Sequence, residues 1–292
     1  MNQKKNSGIW ALVWALIIVG AVFAAAQALQ PKGPALTWRP VAMDGHRTGA
    51  KPITADNLDT ALGTFTDQGF VTPSGVSFPE GSAMEQVAAT LMEVQPRMAS
   101  LKKVVGHSAR MMMNDRDNPD LPLGNLFADV LRSYASKYFK VPFDFAVTNF
   151  GGIRIPMPEG PVTLDDITSM FPFKNYLCHV KIKGSSLTKL LEQLAGTQAF
   201  QATSGGTIRV KAHKLESALI GGQPIDPERV YNLATIDFLL DGGDQLRIGA
   251  LAEDVTLTHV LLKDIMLEYM AECEAKGEVV DACSDGRVIM ED

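Results

Sequence analysis

The chain has 292 residues, 46% of them hydrophobic and 21% charged, with a formal net charge of −6. That is ordinary globular composition, long enough for one large domain or two small ones. The acidic balance and the lack of any Lys/Arg block exclude the usual grip on phosphate backbones, so nucleic acid is not an expected partner.

In chain order, Lys4 and Lys5 precede an uncharged run from Asn6 to Ala26 that is apolar from Ile9 onward and ends in Ala24-Ala25-Ala26. Residues 1–26 therefore have the layout of a secretory signal peptide. The run also reaches the lower length limit of a membrane-spanning helix, about 18 residues. Cleaved export and a retained signal anchor both stay open, and either places the body beyond a membrane, in the periplasm or another extracytoplasmic space. A membrane is a partner only if the segment is uncleaved.

Residues 27–99 read as an irregular leader that packs on the domain, with a short helix near Ala55–Leu62 and a longer helix from about 83. Ser82-Ala83-Met84-Glu85 matches a capping box, and Met84, Val87, Ala88, Leu91 and Met92 recur at helical spacing behind it, to about Lys103. Residues 100–292 form the main domain. Leu126, Phe127, Val130, Leu131 and Tyr134 make a second amphipathic helix starting near Gly124. Phe145–Thr148 reads as a buried strand. Thr163-Leu164-Asp165-Asp166 caps a short helix that ends before Pro172. Tyr176–Lys183 alternates like a half-buried strand, and Leu187, Leu190, Leu191 and Leu194 form the stripe of the next helix. Short strands are expected near Thr207–Val210, Ala218–Ile220 and Tyr231–Ile236, a helix near His259–Glu274, and a last strand around Arg287–Met290. The fold class is α/β (α+β) with a mixed β-sheet.

Three segments carry groups able to hold a flat, anionic, ribose-bearing ligand. In Asn149-Phe150-Gly151-Gly152-Ile153-Arg154, two glycines permit close backbone approach, and Arg154 brings a planar fork for phosphate or carboxylate. A tight turn with a surface arginine explains the same residues. Phe173, between Pro172 and Lys174-Asn175, is either a core residue or a stacking platform, with Asn175 placed to read a base edge; Phe238 has the same two readings. Asp244, after Gly242-Gly243, is either a turn aspartate or an acceptor for ribose hydroxyls.

Bond-breaking machinery is not apparent. His46, His107, His179, His213 and His259 share no metal-ligand spacing, and the Asp44-Gly45-His46 pair lacks the further ligands a two-metal hydrolase requires. No G-x-S-x-G elbow is present. Of the three cysteines, Cys178 is expected in a strand as a core residue. Cys273 and Cys283 flank a Gly-containing turn, where a bridge and two unpaired thiols fit equally.

Taken together, Asn149-x-Gly-Gly-Ile-Arg154, Pro172-Phe-x-Asn175, Gly184-x-x-Leu with its leucine stripe, Gln201-x-x-Ser-Gly205 and Phe238-Leu-x-x-Gly-Gly-Asp244 resemble the C-terminal domain of the 5′-nucleotidase family. Gly124-Asn125-Leu126 with Ala128-Asp129 resembles its upstream element. The resemblance spans roughly residues 100–290. It implies that Phe173 and Phe238 sandwich a base, that Asn149 and Asn175 lie near it, that Asp244 binds ribose and that Arg154 holds phosphate. It also implies an N-terminal dimetal phosphoesterase domain, for which residues 27–99 are too short. Two departures stand out: Pro119 replaces an arginine that contacts phosphate in the family, the nearest arginine being Arg116, and Lys174 replaces a glycine. The expectation is an exported nucleotide-binding half of a split 5′-nucleotidase. It would have no catalytic residue and no metal or cofactor of its own. A separate metallophosphoesterase chain would supply the divalent metals, such as zinc or manganese. The alternative is a stand-alone, non-catalytic nucleotide- or nucleoside-binding or interaction protein.

Overall fold

The structure is a computed structural model that describes residue 57 and residues 60–114, 118–197 and 200–291. The expected signal segment, His46, Arg116 and half of the helix expected near 55–62 lie outside the described residues.

In chain order the elements begin with β1 (Thr64–Thr66), β2 (Gly69–Val71) and β3 (Ser77–Pro79), then helix α1 (Ala83–Met98). Next come β4 (Val104–Ser108), α2 (Pro122–Phe139), β5 (Phe145–Thr148), β6 (Gly160–Thr163) and α3 (Leu164–Met170). They are followed by β7 (Tyr176–Lys183), α4 (Gly184–Ala195), β8 (Ala202–Ser204), β9 (Gly206–Lys211), β10 (Lys214–Ile220) and β11 (Gln223–Pro224). The chain closes with β12 (Val230–Ile236), β13 (Ala252–Leu261), α5 (Leu262–Lys276) and β14 (Val288–Glu291).

The central sheet has the order β13-β7-β12-β5-β8, and a second sheet the order β11-β10-β9-β14. Both are mixed: β12 runs parallel to β5 and β14 parallel to β9, while the other neighbours are antiparallel. The core joins Leu123, Phe127 and Leu131 of α2, Leu187, Leu190, Leu191 and Leu194 of α4, and Ile265, Met266 and Met270 of α5 to the buried strands. The expected mixed α/β fold is what forms.

Helix starts follow the expected chemistry. Thr163 closes a full capping box with Asp166, each side chain bonding the other's backbone N–H. At α1, Ser82 accepts from the Glu85 N–H at 3.3 Å, but the Glu85 carboxylate reaches back to the N–H of Gly81 rather than to that of Ser82.

Several expectations need correction. Residues 64–79, expected to be irregular, form an antiparallel three-stranded meander. Strand β7 is buried on both faces rather than on one, because it lies inside the sheet between β13 and β12 and both α2 and α4 pack on it. The helix expected from His259 begins at Leu262. The run Val255-Thr256-Leu257-Thr258, β-branched at three of its four positions, extends β13 through His259, and Leu261 still pairs with Tyr176. In α1, of the five apolar residues expected on one face, Ala88 is buried and Met92 half-buried, while Met84, Val87 and Leu91 are exposed. Cys273 is buried and Cys283 exposed, and both are free thiols, so the bridge does not form. Cys178 is buried as expected, and burial, followed by the nearby Asp237 carboxylate, pushes its thiol up to about 12.

Candidate functional site

The strand directions bring the three motif segments to one edge of the central sheet. β12 pairs in parallel with β5, Leu233 opposite Phe145 and Ala234 opposite Ala146, so both strands end on the same side. β7 is antiparallel to β12, with Leu177 opposite Ile236, so it begins where β12 ends. The turn after β5 (149–154), the segment before β7 (171–175) and the turn after β12 (237–245) therefore emerge side by side. Ligands of open α/β sheets commonly sit outside such carboxyl ends.

Hydrogen bonds lock the segments together. Asn149 is 4% exposed, and its amide Nδ2 donates to the Asp244 carboxylate at 2.8 Å. Its Oδ1 is buried and has no hydrogen-bond partner. A Cβ on Gly152 would lie 2.8 Å from that Oδ1 and 3.9 Å from Asn175 Nδ2, so glycine here allows the two asparagines to approach the turn. The Asp237 carboxylate accepts from the backbone N–H of Tyr176 at 2.9 Å and from that of Phe238 at 3.0 Å, tying the second segment to the third.

The two rings are not core residues: Phe173 is 50% and Phe238 45% exposed. Arg154 is exposed, with Cζ 5.8 Å from the Phe173 ring centroid, inside cation–π range. Its Nη1 donates to the Gly151 carbonyl at 3.3 Å, which leaves most of its fork open to a ligand. Gly243 underlies Phe238; a Cβ there would lie 2.1 Å from the Phe238 carbonyl and 2.6 Å from its ring. Asp244 and Gln245 are both left-handed, at φ 46° and 64°, after Gly242 at φ 101°. Aspartate tolerates this region better than most residues, and the bond from Asn149 holds it there.

Further residues support the turn after β5. Asn114 Nδ2 donates to the carbonyls of Phe150 and Ile153, at 3.1 Å for the first. Gln201 Oε1 accepts from the Phe150 N–H at 3.0 Å. The Phe150 ring packs against Ala128 and Ala202 and so closely over Gly124 that a Cβ there would meet it at 2.3 Å. Gln201 and Gly124 lay within quoted motifs, but Asn114, among methionines, carries no local signal. Of the departures, Pro119 is buried and Lys174 exposed.

A separate cavity of about 400 Å³ lies between α2, α5 and residues 281–287 and contains none of the six residues above. Its ionic groups are all paired: Arg287 with Asp129 and Asp285, Lys137 with Glu268 and Glu272, and Asp281 with Arg110 outside the cavity.

The model of the family described as 5′-nucleotidase, C-terminal domain, matches residues 104–252, half of the chain. The chain belongs to this family. The UshA protein of Yersinia enterocolitica is 27% identical over 199 residues, covering 64% of this chain and 36% of its own length. The endonuclease YhcR of Bacillus subtilis is 30% identical over 152 residues, 48% of this chain and 11% of that protein. The chain thus spans about a third or less of these relatives. Among solved structures, a 5′-nucleotidase precursor from Thermus thermophilus superposes with a TM-score of 0.63 at 22% identity, over 72% of this chain and 43% of that one. The NAD nucleotidase of Haemophilus influenzae superposes with a TM-score of 0.54 at 20% identity, over 74% and 43%. At these identities the structures establish the fold of a 5′-nucleotidase C-terminal domain.

Proposed function

We propose that this chain is the nucleotide-binding half of an exported 5′-nucleotidase-type phosphomonoesterase, with hydrolysis carried out by a metallophosphoesterase on a separate chain. The observation that carries this reading is the shared sheet edge bearing two half-exposed rings, an open guanidinium and an asparagine-held aspartate. In this role Phe173 and Phe238 receive the two faces of a base, and Asn175 reads its edge with Asn149 behind it. Asp244 accepts from ribose hydroxyls, and Arg154 meets the phosphate. The divalent metals of the reaction, zinc or manganese, would come with the partner and would supply the activated water. Among the described residues no group of three or more His, Cys, Asp or Glu side chains converges to hold a metal ion. Export is read from residues 1–26; among the described residues no helix is long and apolar enough to cross a membrane.

Two stacking faces supply roughly 2–6 kcal/mol, and one charge-assisted arginine contact about 1.5–3 kcal/mol. Association costs of about 4 kcal/mol or more oppose them. At its most favourable the balance is about 5 kcal/mol, which predicts a dissociation constant from roughly 0.2 mM into the millimolar range. The test is a calorimetric titration of the full chain with AMP without added metal, followed by phosphate release from AMP on mixing with candidate metallophosphoesterase chains. Saturable binding plus stimulated release supports the split enzyme. Binding with no partner response supports the stand-alone nucleotide-binding reading. No binding up to several millimolar, alone or with a partner, rejects both.

A further inference from the structure

Helix α1 exposes an apolar stripe. Met84, Val87, Leu91, Val94 and Met98 are 38–54% exposed, while the neighbouring stripe of Ala88 and Met92 is turned inward, on a helix that packs on β2 and β3. The exposed residues are spaced 3, 4, 3 and 4 apart, the a/d spacing of a two-stranded coiled-coil seam. A shallow groove beside the stripe is lined by Ala83, Gln86, Val87, Thr90 and Leu91, all uncharged.

The order of these side chains, Met-Val-Leu-Val-Met, is the same in both directions. We propose that α1 is a self-association surface on which two copies of this chain pair their helices antiparallel, about a two-fold axis through Leu91. That arrangement sets Met84 level with the second copy's Met98 and Leu91 against itself, with Val87 one residue, about 1.5 Å along the axis, out of step with its Val94. A two-fold interface demands this self-complementarity. Charge favours the same direction: α1 has Glu85 in its first turn and Arg97 in its last. Antiparallel pairing brings the acidic end of each helix level with the basic end of the other and opposes their macrodipoles. Parallel pairing would align like charges at both ends. A seam of five side chains per copy lies below the roughly 1,200 Å² typical of stable interfaces, so the dimer is weak and concentration-dependent.

The test uses the full chain in native membranes or mild detergent, with Cys283→Ser removing the one exposed thiol. Single cysteines are placed in α1 and oxidised with copper phenanthroline, which takes two thiols to one disulfide while the copper–oxygen couple accepts the electrons. Leu91→Cys is expected to form a chain-to-chain disulfide by itself. Met84→Cys is expected to do so only when mixed with Met98→Cys, and Glu93→Cys, off the seam, not at all. Sedimentation should show Val87→Glu shifting the population to monomer with an unchanged melting temperature. A monomeric parent at about 50 µM with no Leu91→Cys product would overturn the proposal and assign the stripe to residues 1–56 or another protein. Met84→Cys cross-linking to itself as readily as to Met98→Cys would overturn the antiparallel pairing.

Discussion

Gly243→Ala is the sharpest test of how the site is held. The added methyl would sit 2.1 Å from the Phe238 carbonyl and 2.6 Å from its ring, far inside van der Waals contact. Backbone cannot yield as a side-chain tip does, so the turn must move by about an ångström and carry the ring with it. Overpacking costs about 1–3 kcal/mol, and roughly 0.4–1 kcal/mol returns because alanine restricts the unfolded chain. The expected stability loss is therefore modest, about 0–2.6 kcal/mol. Binding should suffer more, because a displaced ring forfeits one stacking face, about 1–3 kcal/mol, or roughly a 5- to 150-fold weaker affinity for AMP. Calorimetry reads the affinity and thermal denaturation the stability, with Phe238→Ala as the benchmark that sets the upper limit. AMP affinity within twofold of the parent in Gly243→Ala, while Phe238→Ala loses it, would refute the idea that this glycine positions the ring.

Asp244→Ala should weaken adenosine binding by about tenfold, whereas Asp244→Asn should retain the left-handed turn and part of the affinity; equal loss in both would show that charge rather than turn geometry matters. Arg287→Leu should cost about 1–3 kcal/mol by chemical denaturation, toward the low end because its carboxylate partners stay half in water. The same arginine depresses Asp285 below the usual carboxylate range. That contribution is therefore present above the unfolded value near 4 and fades as pH falls through the lower folded value. A pH series should show Arg287→Leu with a shallower acid loss than the parent, and an identical slope would count against the pairing. Under native conditions a thiol reagent at pH 8 should modify Cys283 quickly and leave Cys178 and Cys273 unmodified until unfolding; an unreactive Cys283 would indicate a bridge.

Hydrophobic periodicity read the core helices and most strands of the main domain, because residues sharing a face are fixed by helix and strand geometry. It does not say which faces are covered. The α1 stripe and the α4 stripe look alike in sequence, yet α4 packs on the sheet and α1 leaves most of its apolar residues in water. β13 was hidden because its Val-Thr-Leu-Thr run merges into the helical pattern of α5, and only pairing with β7 ends the strand at Leu261. At the site, the motif residues were legible, but their assembly depended on the parallel pairing of β5 with β12. The half-exposure of Phe173 and Phe238 and the bonds of Asn114 and Asp237 depend on tertiary packing and have no local signal.

The bond from Asn149 to Asp244 joins residues 95 positions apart in the chain, through the parallel strand pair of the central sheet. Contacts of such separation close large loops, so they form late and slow folding. The ligand site should thus be among the last regions assembled from the unfolded chain. A nucleotide that binds only there should leave the refolding rate nearly unchanged and express its stabilisation as slower unfolding. On the proposed exported chain, that kinetic protection would decide how long the site survives proteolysis when cleavage outpaces reclosing.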